Sequence, residues 1–178
     1  MPAPIHLSDL GARIAIIGPS SSGKSTLATA LGAHLGCKVV HLDLLAHYPD
    51  TQWRPRPKPE LVALHDAELA DPAWVIEGNY GVAMPQRFAR ATGVIWLDFD
   101  RWGCLWRYVR RCFQPASQRR GTLPGAIERL NWRMVQYILV EAPAKQARYE
   151  QMIAQSGRPL LRLESLEALK VFYRSAGI

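Results

Sequence analysis

Residues 18 to 26 read Gly-Pro-Ser-Ser-Ser-Gly-Lys-Ser-Thr and fill every fixed position of the phosphate-binding pattern G-x-x-x-x-G-K-[ST]. Before them, Arg13-Ile-Ala-Ile-Ile17 is a short β-branched run that reads as a buried strand. After them, Thr26 to Leu35 repeats apolar residues at helical spacing. Strand, glycine-bounded loop and helix in that order predict a parallel α/β sheet with the loop at the carboxyl edge of its strands.

The spacing has a chemical reason. Gly18 and Gly23 allow backbone angles closed to other residues, so the N–H groups of the loop, with Ser20, Ser21 and Ser22 between the glycines, can turn inward around a phosphate. A helix opening directly from the loop adds unpaired N–H donors and the positive end of its dipole. Lys24 is then placed to bridge β- and γ-phosphates, Ser25 to offer its hydroxyl to Mg²⁺, and Thr26 to support the α-phosphate side.

At 178 residues, 48% of them hydrophobic, the chain is expected to form one domain over 1–178. No basic start followed by a long apolar run suggests export or a membrane anchor, and Cys37, Cys104 and Cys112 form no C-x-x-C pair, so the cytoplasm is the expected home. The formal net charge is +7, and one segment accounts for it: Arg101 to Arg133 carries eight arginines against the single acid Glu128. Arginine clamps phosphate oxygens in pairs, so this segment is expected to face a bound nucleotide, a nucleic-acid backbone or simply solvent.

Taken in order, Lys38-Val-Val-His-Leu42 reads as a second strand closing on Asp43, which is placed either to orient an acceptor hydroxyl or to cap the next residues. Residues 47 to 59 are proline-rich and form a loop whose Trp53, Arg54, Arg56 and Lys58 make either an acceptor-binding flap or a surface excursion. The acceptor segment is thus expected at about 44–70, including a helix from Pro59 to Ala70. Trp74-Val-Ile-Glu77 is a third strand; Glu77 either reaches a magnesium-bound water or an acceptor group, or pairs with a buried arginine. Asn79 and Tyr80 are candidates for acceptor contact, and Arg87 on the next short helix for reaching an acceptor anion. Gly93 to Leu97 is a fourth strand, Asp100 the cap of a helix from Arg101 to Phe113, with Trp102, Leu105, Trp106 and Val109 as its core face. Pro115, Gly121, Pro124 and Gly125 break that helix into a lid at about 112–126 bearing Arg119 and Arg120. Arg158 to Leu163 is the last strand, and Ser165 caps a closing helix.

The set GPSSSGKST, HLD ending at Asp43, WVIEGNY at 74 to 80 and LDFDRWGCLWRYVRR at 97 to 111 resembles the adenylate-kinase-related P-loop proteins often labelled DNA topology modulation proteins. The resemblance covers nearly the whole chain and implies a nucleoside monophosphate kinase architecture: a five-stranded parallel sheet between helices, an acceptor segment after the second strand, and a lid before the last. It implies that Gly18, Gly23, Lys24, Ser25 and Thr26 bind ATP, that Asp43 lies at the acceptor, and that arginines among 107, 110, 111, 119 and 120 attend the phosphates. Adenylate kinases carry D-G-F-P-R where this chain has Glu77-Gly-Asn-Tyr80, so AMP recognition does not carry over.

The expected activity is therefore Mg²⁺- and ATP-dependent phosphate transfer of nucleotide-kinase type to a small, phosphorylated or nucleoside-like acceptor. Asp43 would orient the acceptor, Lys24 and Mg²⁺ hold the γ-phosphate, and Arg111, Arg119 and Arg120 neutralise developing charge. The rival readings are a nucleic-acid kinase or nucleic-acid-binding ATPase linked to DNA topology, and a non-catalytic ATP-binding regulator.

Overall fold

The β-branched runs alternate between two faces. In β1 (Arg13–Ile17), Ile14 and Ile16 pack on one side of the sheet and Ala15 and Ile17 on the other, all four fully buried. A strand covered on both faces belongs to a parallel sheet between helical layers. The computed structural model, which describes residues 5–114 and 130–178, shows that arrangement.

The loop after β1 leads into α1 (Lys24–Leu35), which ends on Gly36 in the left-handed conformation. β2 (Lys38–His41) runs straight into a short helix, α2 (Leu42–Ala46). The second strand thus stops one residue earlier than the pattern suggests, because Leu42 is buried as the first helical residue, and Asp43 sits in a helical first turn. α3 (Lys58–Glu68) follows the proline-rich loop, then β3 (Trp74–Glu77), α4 (Met84–Arg90), β4 (Gly93–Leu97) and α5 (Arg101–Cys112). Beyond residue 130 come α6 (Trp132–Gln136), a π-helical turn (Tyr137–Glu141), α7 (Ala142–Ala144), α8 (Gln146–Ser156), β5 (Leu160–Leu163) and α9 (Leu166–Ala176). All pairings of the five strands are parallel, in the order β2-β3-β1-β4-β5. Strand order reverses at β1, and such a switch point opens a crevice at the carboxyl ends of the strands, where the loop after β1 lies.

Asp100 caps α5, its side chain accepting from the Gly103 N–H at 2.8 Å, as expected. The expected core face of that helix is different. Cys104 and Tyr108 are buried, whereas Trp102 and Trp106 are 62% and 68% exposed. Two residues turn a helix by about 200°, so a ladder through 104 and 108 puts 102 and 106 on nearly the opposite side. The small cysteine and the tyrosine, whose hydroxyl accepts from the Asn131 N–H at 2.9 Å, take the core positions. Asp98 pairs with Arg162 and Gln146, tying the ends of β4 and β5 to α8.

Gly93 starts β4 directly under the 3₁₀ turn Leu7–Leu10, where an added Cβ would stand 2.6 Å from the Leu10 Cα and 2.7 Å from its carbonyl oxygen. Backbone cannot swing aside as a side chain does. Gly93→Ala is expected to lower stability by about 1–3 kcal/mol, read from urea unfolding at unchanged slope.

Candidate active site

The phosphate loop is held open by contacts only glycine permits. Gly18 has φ of 150°, and an added Cβ would lie 2.5 Å from the Leu97 carbonyl oxygen of β4. Gly23 has φ of 97° and caps α1 with no side-chain partner for the helix N–H groups. Ser21 is also left-handed, at φ of 60°, and the buried hydroxyls of Ser21 and Ser22 have no hydrogen-bond partner among the described residues. An unpartnered donor set at a helix N-terminus suits an anion.

Asn79 fixes the start of this loop. Its Oδ1 accepts from the Gly18 N–H at 3.0 Å and its Nδ2 donates to the Gly18 carbonyl at 2.7 Å. The amide thus saturates both backbone groups of the first glycine. Lys24 Nζ donates to the Pro19 carbonyl at 2.8 Å, so the lysine lies across the loop it serves.

Glu77, 2% exposed at the carboxyl end of β3, joins three elements. Its Oε1 accepts from Ser25 Oγ at 2.8 Å and meets His41 Nδ1 at 2.9 Å. Burial pushes the carboxyl up, but the bond to His41, the charge of Lys24 and the Ser25 hydroxyl together outweigh it and leave Glu77 below its ordinary value of 4.5. The carboxylate pairs with histidine and serine, not with a buried arginine. A serine hydroxyl and an ionised carboxylate are hard oxygen donors of the kind Mg²⁺ takes, with phosphate oxygens and waters completing its shell.

On the acceptor side, Tyr80 Oη donates to Asp43 Oδ1 at 2.7 Å, and the Asp43 side chain remains exposed. Burial and the neighbouring Asp43 charge both raise the Tyr80 pKa, so it is a donor at any working pH. Asp43, Glu77, Lys24 and Ser25 share one cleft of about 310 Å³ with Ser20, Ser21, Thr26, Arg107, Arg110 and Arg111. Arg107 Nε donates to the Ser21 carbonyl at 2.8 Å, clipping α5 to the loop.

Other predicted residues lie elsewhere. Trp53 packs edge-on against His47 at 5.2 Å, and the Arg54 guanidinium stands over Tyr48 at 4.6 Å; neither lines the cleft. Arg87 is fully buried on α4. Burial pushes its guanidinium down to about 10 against the raising effect of Glu77 and Tyr149, so it remains a cation at neutral pH. Arg119, Arg120 and most of the expected lid at 112–126 lie outside the described residues. Sequence reasoning missed His41 as the partner of Glu77; a histidine ending β2 opposite the acidic end of β3, in direct register with it, is the signal that could have found it.

A parallel five-stranded sheet with this loop at its switch point and an acidic end on the adjacent strand defines a P-loop kinase-like fold. No protein family matches the sequence, and no curated protein matches it either. Solved structures do match. Shikimate kinase from Acinetobacter baumannii in complex with shikimate aligns with a TM-score of 0.59 at 13% identity, covering 93% of this chain and 91% of that one. A gluconokinase from Sinorhizobium meliloti 1021 gives 0.56 at 13% identity, covering 94% and 90%. Shikimate kinase from Bacteroides thetaiotaomicron gives 0.56 at 14% identity, covering 92% and 94%. The fold is that of P-loop kinases of the nucleoside monophosphate kinase type, over nearly the full length of both partners. Among the described residues no helix is long and apolar enough to cross a membrane.

Because Glu77 is held below 4.5 in the fold, the native protein binds fewer protons than the unfolded chain just under that pH. The stability it contributes is complete above its unfolded value and lost as pH falls through the folded one. The stability difference between wild type and Glu77→Gln, measured by urea unfolding, is therefore expected to stay flat above about pH 5 and shrink below it. Asn79→Ala strips both bonds from Gly18 and is expected to cost about 1–3 kcal/mol, while weakening nucleotide binding measured by calorimetry.

Proposed function

We propose that this protein is a Mg²⁺- and ATP-dependent phosphotransferase acting on a small acceptor, its one domain carrying the acceptor segment at about 44–70. The observation that carries the reading is the shared cleft: a phosphate loop with Lys24, and, across from it, an exposed carboxylate, Asp43, oriented by Tyr80. A pure nucleotide binder has no use for the second carboxylate. That the similar folds are named shikimate kinase and gluconokinase supports a small-molecule acceptor.

The nucleotide's phosphates would lie on the N–H groups of residues 18 to 26, with Lys24 turned from Pro19 onto the β- and γ-phosphates. Ser25 would ligate Mg²⁺ directly and Glu77 through water; the ion, when bound, neutralises charge on the phosphates. His41 holds Glu77 in the rotamer that points at Ser25. Asp43 orients the acceptor hydroxyl and takes its proton as the acceptor oxygen bonds to the γ-phosphorus and the bond to the ADP oxygen breaks. Arg107 and Arg111 face the charge that develops. The finer likeness to the DNA topology modulation group rests on the 74 to 80 and 97 to 111 segments, and a cytoplasmic setting follows from the ATP requirement.

A second reading has one observation behind it. Trp102, Trp106 and Trp132 are exposed on α5 and α6 beside the exposed Arg101, Arg110 and Arg133, a mixture suited to stacking on bases and contacting backbone. The test covers both. Transfer of labelled γ-phosphate with Mg²⁺ is measured across hydroxy acids, sugars, nucleosides, nucleoside monophosphates and short oligonucleotides, with Lys24→Ala as the blank. Labelling of a small acceptor is expected, with Asp43→Asn lowering kcat by about 10²–10⁴ and leaving ADP affinity unchanged. Labelling of oligonucleotides alone would transfer the assignment to a polynucleotide kinase, and ATP binding with no transfer to anything would leave a regulator.

A further inference from the structure

Helix α5 has two apolar sides, and the fold covers one of them. At about 100° of turn per residue, Cys104 and Tyr108 fall on one side, while Trp102, Trp106, Val109 and Phe113 fall within an arc of about 60° on another. The first pair is buried. In the second set Trp102, Trp106 and Phe113 are 62%, 68% and 81% exposed, and Val109 is partly buried. Steps of four, three and four residues are those of a helix that lies along an apolar surface.

The exposed stripe continues beside α5. The Asn131 N–H donates to the Tyr108 hydroxyl and Arg101 Nη1 to the Leu139 carbonyl at 3.3 Å, so residues 131 to 139 run along the helix in the opposite direction. Trp132, in this segment, is 79% exposed. Three tryptophans and a phenylalanine this open present on the order of 500 Å² of aromatic surface, the upper range for the largest apolar patch of a monomer.

The charge around the stripe has one sign. Neither 101–114 nor 130–140 contains an aspartate or glutamate, and the exposed Arg101 and Arg110 flank the stripe, one on each side, with the exposed Arg133 next to Trp132. The carboxylates nearest in sequence, Asp100 and Glu141, are engaged by the Gly103 N–H and by Lys145. A second copy of this chain is a poor occupant, because Arg101 to Arg133 accounts for the net charge of +7 and pairing would bring two such segments together. Single-stranded nucleic acid is held by stacking along a groove, whereas this stripe is the outer face of a helix and includes Val109, which cannot stack. Hydrocarbon beneath anionic headgroups suits every part of it: tryptophan rings settle at headgroup level, and arginines at the stripe's edge lay their stems on apolar surface and reach phosphate.

We propose that this face of α5 docks on an anionic lipid bilayer, its two tryptophans and Phe113 entering the headgroup boundary with Trp132 beside them, and the flanking arginines pairing with lipid phosphates. Docking of this kind is reversible and weakens with salt, and it is independent of phosphate transfer. Arg110 also lines the cleft, so a docked protein holds the edge of its cleft close to the bilayer.

The test is co-sedimentation of the full chain with vesicles of phosphatidylcholine alone and of two parts phosphatidylcholine to one of phosphatidylglycerol, the latter also prepared with brominated acyl chains. Binding to the anionic vesicles alone is expected, falling as salt is raised, with the brominated chains quenching tryptophan emission. Trp102→Gln/Trp106→Gln is expected to lower vesicle affinity at least tenfold and to remove most of the quenching, with no loss of thermal stability. Arg133→Gln is expected to lower affinity about fivefold. No binding to anionic vesicles, sedimentation without quenching, or undiminished binding by the double variant would each overturn the proposal. So would tighter binding, at the same salt, of a single-stranded oligonucleotide that the double variant releases, which would give the face to nucleic acid, or a dimer in sedimentation velocity that the double variant dissociates, which would give it to a second copy. A double variant that unfolds at lower temperature would overturn it too, by making the tryptophans supports of the fold.

Discussion

One carboxylate oxygen holds the candidate site together. Oε1 of Glu77 receives the Ser25 hydroxyl from the first turn of α1 and the His41 ring from the end of β2, while the rest of Glu77 belongs to β3. Helix, inner strand and edge strand are therefore fixed relative to each other at the level of the phosphate loop. Burying a carboxylate this deeply is unfavourable unless its charge is met by donors. Two hydrogen bonds and the Lys24 charge meet it here, which is why it stays ionised and available as a hard oxygen ligand.

Around that oxygen the sheet does two jobs. Its central strands are buried on both faces, so β1 and β3 are rigid rods, and the residues just past their carboxyl ends inherit that rigidity. The phosphate loop strains backbone at Gly18, Ser21 and Gly23, and such strain persists only when neighbours over-determine it. The neighbours are identifiable. Leu97 closes the space behind Gly18, Asn79 grips both its backbone groups, and Arg107 holds the Ser21 carbonyl.

Legibility in the sequence followed how local each determinant is. The phosphate loop, all five strands and the caps at Asp100 and Ser165 depend on residues within a few positions, and each was readable there. The face of α5 was not, because Trp102 and Trp106 have the size of core residues while burial is decided by what α5 packs against, and the buried pair is Cys104 and Tyr108. His41 was missed for a related reason: its partner is 36 positions away and becomes visible only once β2 and β3 are in register. Arg87 could be marked as a cation near an acceptor, but nothing local says that it is enclosed with its donors unpaired among the described residues.

The segment Glu77-Gly78-Asn79-Tyr80 shows why the site is built as it is. Glu77 turns toward Ser25, Asn79 grips Gly18, and Tyr80 donates to Asp43, so three side chains within four residues reach the first turn of α1, the start of the phosphate loop and the exposed carboxylate of α2 in turn. Gly78 makes this possible: its φ is 126°, and an added Cβ would come within 3.0 Å of the Leu42 Cβ, pushing away the helix that carries Asp43. An arginine-bearing turn of the D-G-F-P-R kind would put a charged reader directly at the strand end. This chain places amide and phenol there instead and carries its arginine ten residues past Glu77, buried on α4.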